Sequence, residues 1–298
     1  MTDISPMRIA AVGVALLPFS LLAQEPSIAW HGEPPRQGAF AWLVVQPLEP
    51  PLVLHGTLDG VPLHFTRMPD GRWVALVGVT FDARDSVPVE ARLEYGQGRV
   101  TSRMAWLPVV TVRFPTERLS VDPRFTRPPD SALAARIERE NALARAVSRA
   151  ALRTARLWHD GFVAPRDGRV TSRYGTGRMF NGEVRSRHLG VDFDGTVGDP
   201  VRAANRGVVA LVGDFYYAGR VVYLNHGAGV ITAYLHLSET LVAPGDTVEA
   251  GALIGKVGRS GRVTGPHLHW AAKYGAASLD GATLLALPPV IPGRDGTR

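Results

Sequence analysis

The run GVVALVGDFYYAGRVVYLNHGAGVITAYLHLS, residues 207–238, decides how this chain folds. Three segments rich in β-branched and aromatic residues (GVVALV, RVVYLN and GVITAYL) alternate with glycine-containing breaks, and a fourth, ALIGKVG, follows at 252–258. Val, Ile and Tyr suit a pleated, packed surface, and glycine supplies the tight turns between neighbouring strands. The pattern predicts a compact, glycine-rich antiparallel β domain over residues 161–298.

Working outward, residues 30–115 also read as short strands: FAWLVV, PLVLHGTL, VPLHFTRM, RWVALVGVTF, VPVEARLEY and VVTVRF. Asp59-Gly60 and Asp70-Gly71 are hairpin turn signals, and prolines 50, 51, 62, 88 and 108 suit edges and turns. A small β-sandwich within residues 24–127 is expected. His31, His55 and His64 lack acidic or histidine neighbours at ligand spacing and read as structural or solvent-facing. Pro128-Pro129 end this region, and Asp130 offers a helix N-cap. An alanine-rich stretch without glycine or proline then predicts a helix from Ser131 to about Leu157, within a connecting segment 128–160. Leu143, Val147, Ala150, Thr154 and Leu157 would form its packed face. Arg145, Arg149 and Arg153 lie opposite and read as a solvated stripe. The fold class is mainly β: a sandwich-like N-terminal domain, a long connecting helix and the C-terminal β domain.

The N-terminus carries Arg8, then IAAVGVALLPFSLL (residues 9–22), Ala23 and the polar Gln24 and Glu25. One positive residue, a short apolar run and a small residue before a polar start make a secretory signal pattern over residues 1–23. The run falls short of the roughly 20 residues that span a bilayer. An exported protein of the periplasm or cell envelope is expected, with no stable membrane insertion after cleavage. The 298 residues suit about two domains, and the formal charge of +6 favours an anionic polymer or surface. Nothing points to nucleic acid, and protein partners are not legible. With no cysteine, thiolate chemistry, disulfides and cysteine-ligated metals are excluded.

Five of the nine histidines follow position 187, four of them in three clusters: RHLGVDF (187–193), AYLHLS (233–238) and GPHLHW (265–270). Imidazole and carboxylate suit Zn²⁺, and two histidines plus a carboxylate with an open position make a catalytic site. His188 and Asp192 would stand about 13 Å apart on a straight strand, so a bend at Gly190 is needed for them to converge. His267 and His269, at i and i+2, share one strand face roughly 6 to 7 Å apart. His226, outside these clusters, reads as structural. His159, following the helix, would complement its dipole. Arg173, Arg178, Asn181 and Arg185 lie in a polar loop before the first cluster and are candidates for contacting substrate carboxylates.

From about Val163 to Leu287 the chain resembles the lysostaphin-like (LytM-type) zinc metalloendopeptidases of peptidoglycan. The resemblance runs through SRYG (172–175), RHLGVDF, GDPVRAANRGVV (198–209), YLHLS and VAPGDTVEAGALIGKVGRSGRVTGPHLHW. It implies one Zn²⁺ ion held by His188, Asp192 and His269. It further implies catalytic roles for His236 and His267, on the attacking water and the oxyanion, without saying which does which. The implied activity is hydrolysis of peptide bonds in peptidoglycan cross-links or stem peptides. Some relatives have lost ligands and activate other murein hydrolases without cutting; here every expected ligand is present. VAPGDTVEAGALIGKVG also resembles half-motifs of biotinyl and lipoyl carriers, but Lys256 lies inside an apolar run rather than in an exposed turn.

Overall fold

The computed structural model describes residues 25–182 and 184–290, so the expected signal segment 1–23 lies outside the described residues. Strands Ser27–Trp30, Phe40–Gln46, Trp73–Gly78 and Thr66–Arg67 form one sheet, and Val61–Pro62, Val53–Leu58, Ser86–Glu94 and Val100–Pro108 form a second. They face one another through Leu43, Val45, Ala75 and Val77 on one side and Leu54, Leu58, Val89 and Leu93 on the other. This is the expected sandwich. Asp59 (φ 48°) and Gly60 (φ 74°) make the tight turn between two of its strands.

Two details differ from expectation. VVTVRF is not a strand; its Val110 makes only an isolated bridge to Arg36. Strand Val100–Pro108 carries little sequence signal, because it is a sheet edge with Met104 and Trp106 in solvent, and its alternation is weak. Pro88 sits within strand Ser86–Glu94, just past the end of its neighbour Val53–Leu58.

FAWLVV reads as a continuous apolar run because both faces of its sheet are covered. Leu43 and Ala75 face the sandwich. Phe40, Trp42, Val74 and Leu76 point the other way, into a core shared with Trp158, Phe162, Tyr274, Leu279 and Leu284. Trp42 Nε1 donates to the Pro288 carbonyl at 2.9 Å across this seam. The N-terminal sandwich and the C-terminal β region therefore share one continuous core.

The C-terminal region is built on an antiparallel sheet. Its strands run in the order Val170–Ser172, Val191–Asp194, His267–Tyr274, Val230–Leu237, Gly219–Gly227, Gly207–Phe215, Thr247–Val248, with Ala277–Leu279 also on His267–Tyr274. One face carries Leu224, Tyr234, Leu268 and Trp270 into the shared core. The opposite face carries Tyr223, Ile231, Ala233 and Ala271 beneath the helix.

Asp130 caps that helix by accepting from the Leu133 amide at 2.8 Å. The helix spans Ser131–Ala150 and tightens into a 3₁₀ turn at Ala151–Arg153, so it stops short of Leu157. Beyond it the chain docks on the turn at 226–229: Gly229 donates to Ala151, Ala228 to Thr154, and Leu157 to His226. A Cβ on Gly227 would lie 1.8 Å from the Ala155 carbonyl oxygen, so this approach needs glycine. The packed face is Ala144, Val147 and Ala151, turned from the expected one, and Leu143 is exposed. Arg145, Arg149 and Arg153 are in solvent, as read.

Segment Thr116–Leu119, upstream of the helix, pairs in parallel with Gly177–Phe180, which in turn pairs with Val184–Arg187. This small sheet carries the upstream chain to the edge of the histidine clusters. Among the described residues, no helix is long and apolar enough to cross a membrane.

Candidate metal centre and groove

Asp192 and His269 are directly opposed on neighbouring strands, so both side chains leave the same face, the one that lies under the helix further along. Asp192 Oδ1 stands 2.8 Å from His269 Nδ1. His188 follows strand Val184–Arg187, and its Nε2 lies 2.9 Å from Asp192 Oδ1 and 3.0 Å from His269 Nδ1. Its backbone is held by bonds from His188 to Thr176 and from Gly175 to His188. Gly190 makes the convergence possible in a way spacing alone does not show. A Cβ there would meet His269 Nε2 at 2.5 Å and the Trp270 carbonyl at 2.6 Å. The chain needs glycine because the His269 ring passes so close.

The hydrogen bonds around His188 determine which nitrogen faces inward. Nδ1 lies 2.9 Å from the Arg173 carbonyl, which can only accept, so Nδ1 carries the proton and Nε2 presents a lone pair. Ser172 Oγ also lies 3.2 Å from Nδ1. Three electron-pair donors thus meet within 3.0 Å, with His188 and Asp192 buried and His269 nearly so. Without a cation, a neutral His269 relieves the repulsion by donating Nδ1–H to Asp192; a cation would take that proton's place. Ligands about a tetrahedral zinc with bonds of about 2.0–2.1 Å stand roughly 3.3 Å apart, so the triangle need open by only a few tenths of an ångström. The donor set fits a metal ion.

Burial pushes the Asp192 carboxyl up, but the two imidazoles packed against it, His188 and His269, outweigh it and hold it well below the usual carboxylate range. Arg178 Nη2 donates to its other oxygen, Oδ2, at 2.6 Å. Burial lowers His269 to about 4, leaving it neutral at neutral pH.

The remaining two histidines face the same point. His267 shares the face of His269, two residues away; its Nδ1 bonds the Gly265 carbonyl at 2.9 Å and its Nε2 stands 3.8 Å from Asp192 Oδ1. His236 reaches the site by a different route. Strict alternation would place it with Tyr234, in the core on the opposite face. The ladder to Gly219–Gly227 slips by one residue between Tyr234 and Leu237, and His236 adopts φ 63°. That left-handed bulge turns the ring to the metal side, 5.0 Å from the His267 ring and 5.9 Å from His269. His236 Nδ1 bonds the Ser260 carbonyl at 2.8 Å, so its Nε2, like that of His267, is the free nitrogen. Burial, then the neighbouring His267 and His269, keep its pKa well below that of free imidazole.

The expected substrate contacts fall differently. Arg178 is central but engaged, bonded to Asp192, to Ser172 and to Glu117 (Nε–Oε1 2.7 Å). Arg173 contributes its carbonyl to His188 while its side chain is exposed. Asn181 spends its amide on both backbone groups of Val121, clamping the upstream segment. The side chain of Arg185 lies outside the described residues. Glu117, Ser172, Ser260 and Arg262 escaped sequence reasoning; Glu117 is 61 residues from Arg178, and no local spacing signals it. His226 is structural as read: Nδ1 bonds Arg206 O at 2.7 Å and Nε2 lies 2.8 Å from Thr232 Oγ1. Burial lowers its pKa to about 4.

Glu117, Ser172, Arg178, Asp192, His236 and His267 line an open groove of about 250 Å³, to which the 117–121 segment and residues 262–267 also contribute. Residues 186–281 match the model of Peptidase family M23. Over 103 residues the chain is 42% identical to the peptidoglycan DD-endopeptidase ShyA of Vibrio cholerae, covering 34% of this chain and 24% of that one. It is 41% identical over 101 residues to the DD-carboxypeptidase/endopeptidase Mpg of Neisseria meningitidis, covering 34% and 23%. The chain thus matches about a quarter of the length of these curated relatives. A crystal structure assigned to peptidase M23 from Pseudomonas aeruginosa aligns with TM-score 0.65 and 28% identity over 85% of this chain and 96% of that one. That span is too long for the C-terminal β region alone, so the upstream architecture recurs with it. Residues 186–281 of this chain are thus similar to peptidase family M23.

Proposed function

We propose that the chain is a zinc-dependent endopeptidase that hydrolyses peptide bonds of peptidoglycan in the periplasm or cell envelope. The observation that carries this reading is the meeting of His188 Nε2, Asp192 Oδ1 and His269 Nδ1 within 3.0 Å, with two further histidines turned toward them. His188, Asp192 and His269 would hold one Zn²⁺ ion. When bound, zinc supplies Lewis-acid polarisation of the scissile carbonyl and brings the ionisation of water into the neutral pH range.

The chain's own residues do the rest. Asp192 stays anionic, oriented through Oδ2 by Arg178. His236 and His267 each offer an unprotonated Nε2 fixed by a carbonyl behind Nδ1. One accepts the proton of the attacking water and returns it to the departing amine; the other accepts a hydrogen bond from that water through its own Nε2 and orients it for attack. The relatives named DD-endopeptidases favour a cross-link bond as the target.

In this reading residues 161–298 form the peptidase unit, residues 24–127 a packed accessory module and residues 128–160 their connection. The test is digestion of purified sacculi by the zinc-loaded chain, with fragments identified by mass spectrometry. Release of uncross-linked muropeptides is expected; intact sacculi at neutral pH would refute the proposal.

A further inference from the structure

Among the described residues, the groove holds one cation that no carboxylate pairs with. Asp192 is bonded to imidazoles and Arg178, Arg178 to Glu117, and Asp194 to Arg169 through both backbone and side chain. Arg262 makes no side-chain hydrogen bond or ion pair among the described residues, although it is half-buried. It is nonetheless held in place. Its amide donates to the Tyr217 carbonyl at 2.8 Å, and its guanidinium lies 4.2 Å from the Phe180 ring centroid and 4.6 Å from that of Tyr217. Contacts with aromatic rings stabilise a guanidinium but leave its N–H donors unspent. Burial works against that cation, Tyr217 partly offsets it and the like charge of Arg178 adds to it, and among the described residues no carboxylate of the groove pairs with it. A rigid, planar, unpaired fork is the geometry that receives a carboxylate in two parallel hydrogen bonds.

Its position ties it to the chemistry. Arg262 lies on the loop between Ser260, whose carbonyl orients His236, and Gly265, whose carbonyl orients His267. A carboxylate bound there would stand beside the reacting bond.

Resting on the peptidase reading above, we infer that Arg262 is a specificity residue that binds a free carboxylate of the substrate peptide, so that the preferred substrate is an acidic, unamidated stem.

The test uses the full zinc-loaded chain and two uncross-linked stem tetrapeptides, one with free carboxylates and one with those carboxylates converted to amides. Calorimetry should show the wild type binding the acid roughly ten- to a hundredfold more tightly, the scale of a charged hydrogen-bonded contact. Arg262→Gln should erase that preference while leaving the amide's affinity unchanged, and Arg262→Lys should restore part of it. Equal affinity of the wild type for both peptides would overturn the inference. So would an equal loss for both in Arg262→Gln, which would mark the residue as loop support. Carboxylate-selective binding by a chain that leaves sacculi uncut would sustain the carboxylate site and sink the peptidase reading. Cleavage of free and amidated sacculi at equal rates would do the reverse.

Discussion

Replacing Gly190 by alanine tests how tightly the metal triangle is built. The new methyl would stand 2.5 Å from His269 Nε2, 2.8 Å from its Cε1 and 2.6 Å from the Trp270 carbonyl oxygen. Ordinary contact needs about 3.5 Å, so roughly 1 Å must be found. The Trp270 carbonyl cannot yield, because its strand is hydrogen-bonded on both sides in the middle of the sheet. The adjustment falls on the His269 ring or on the 188–190 loop, and each carries a member of the triangle. Overpacking of this kind costs about 1–3 kcal/mol, and a shift of about 1 Å at reacting groups costs on the order of a hundredfold in rate. Gly190→Ala should therefore remain folded and melt a few degrees lower, with weakened zinc retention and kcat/KM down about a hundredfold. Thermal melts, metal analysis after dialysis and muropeptide cleavage read these separately. A folded variant with wild-type zinc content and turnover would refute the steric reasoning.

Other perturbations follow from the same structure. The folded-state pKa of His226, about 4, lies below the ordinary 6.5, so the unfolded chain takes up the proton first; its contribution is intact above about pH 6.5 and falls by about 3 kcal/mol as pH drops to 4. The melting-temperature difference between pH 7 and pH 4.5 should be smaller in His226→Gln than in wild type, and equal differences would contradict this. Arg178→Ala should weaken zinc retention and cut turnover at least tenfold by freeing Asp192 Oδ2, and Glu117→Gln should do so more mildly; wild-type behaviour of Arg178→Ala would remove Arg178 from the site. A fragment of residues 161–298 loses the cover of Phe40, Trp42, Val74 and Leu76 and the pairing of Thr116–Leu119, worth several kcal/mol at about 1.5–3 kcal/mol per large side chain. It should melt well below the full chain or aggregate, and an unchanged melting temperature would mean the shared core is dispensable.

What was legible in the sequence is what short-range parity encodes. His267 and His269 sit two apart on one strand and do share a face, and the helix start at Asp130 follows from one capping side chain. What stayed hidden depends on departures from parity or on distant contacts. His236 alternates with Tyr234 in sequence and reaches the site only through a left-handed bulge that no spacing announces. Glu117 is invisible because a parallel pairing across 61 residues brings it to Arg178. The helix ends before Leu157 because docking on the 226–229 turn, not helix propensity, decides where it stops. FAWLVV announced a strand, but only the fold shows that its second face welds the sandwich to the C-terminal sheet.

The central claim is a division of labour among five side chains, and zinc per chain measured beside muropeptide cleavage tests it most directly. His188→Ala, Asp192→Ala and His269→Ala should lose both metal and activity, since each removes one of the three proposed ligands. His236→Ala and His267→Ala should keep near-stoichiometric zinc while turnover falls by roughly 10² to 10⁴. Zinc loss as complete in His267→Ala as in His269→Ala, or full activity in any of the five, would contradict the account.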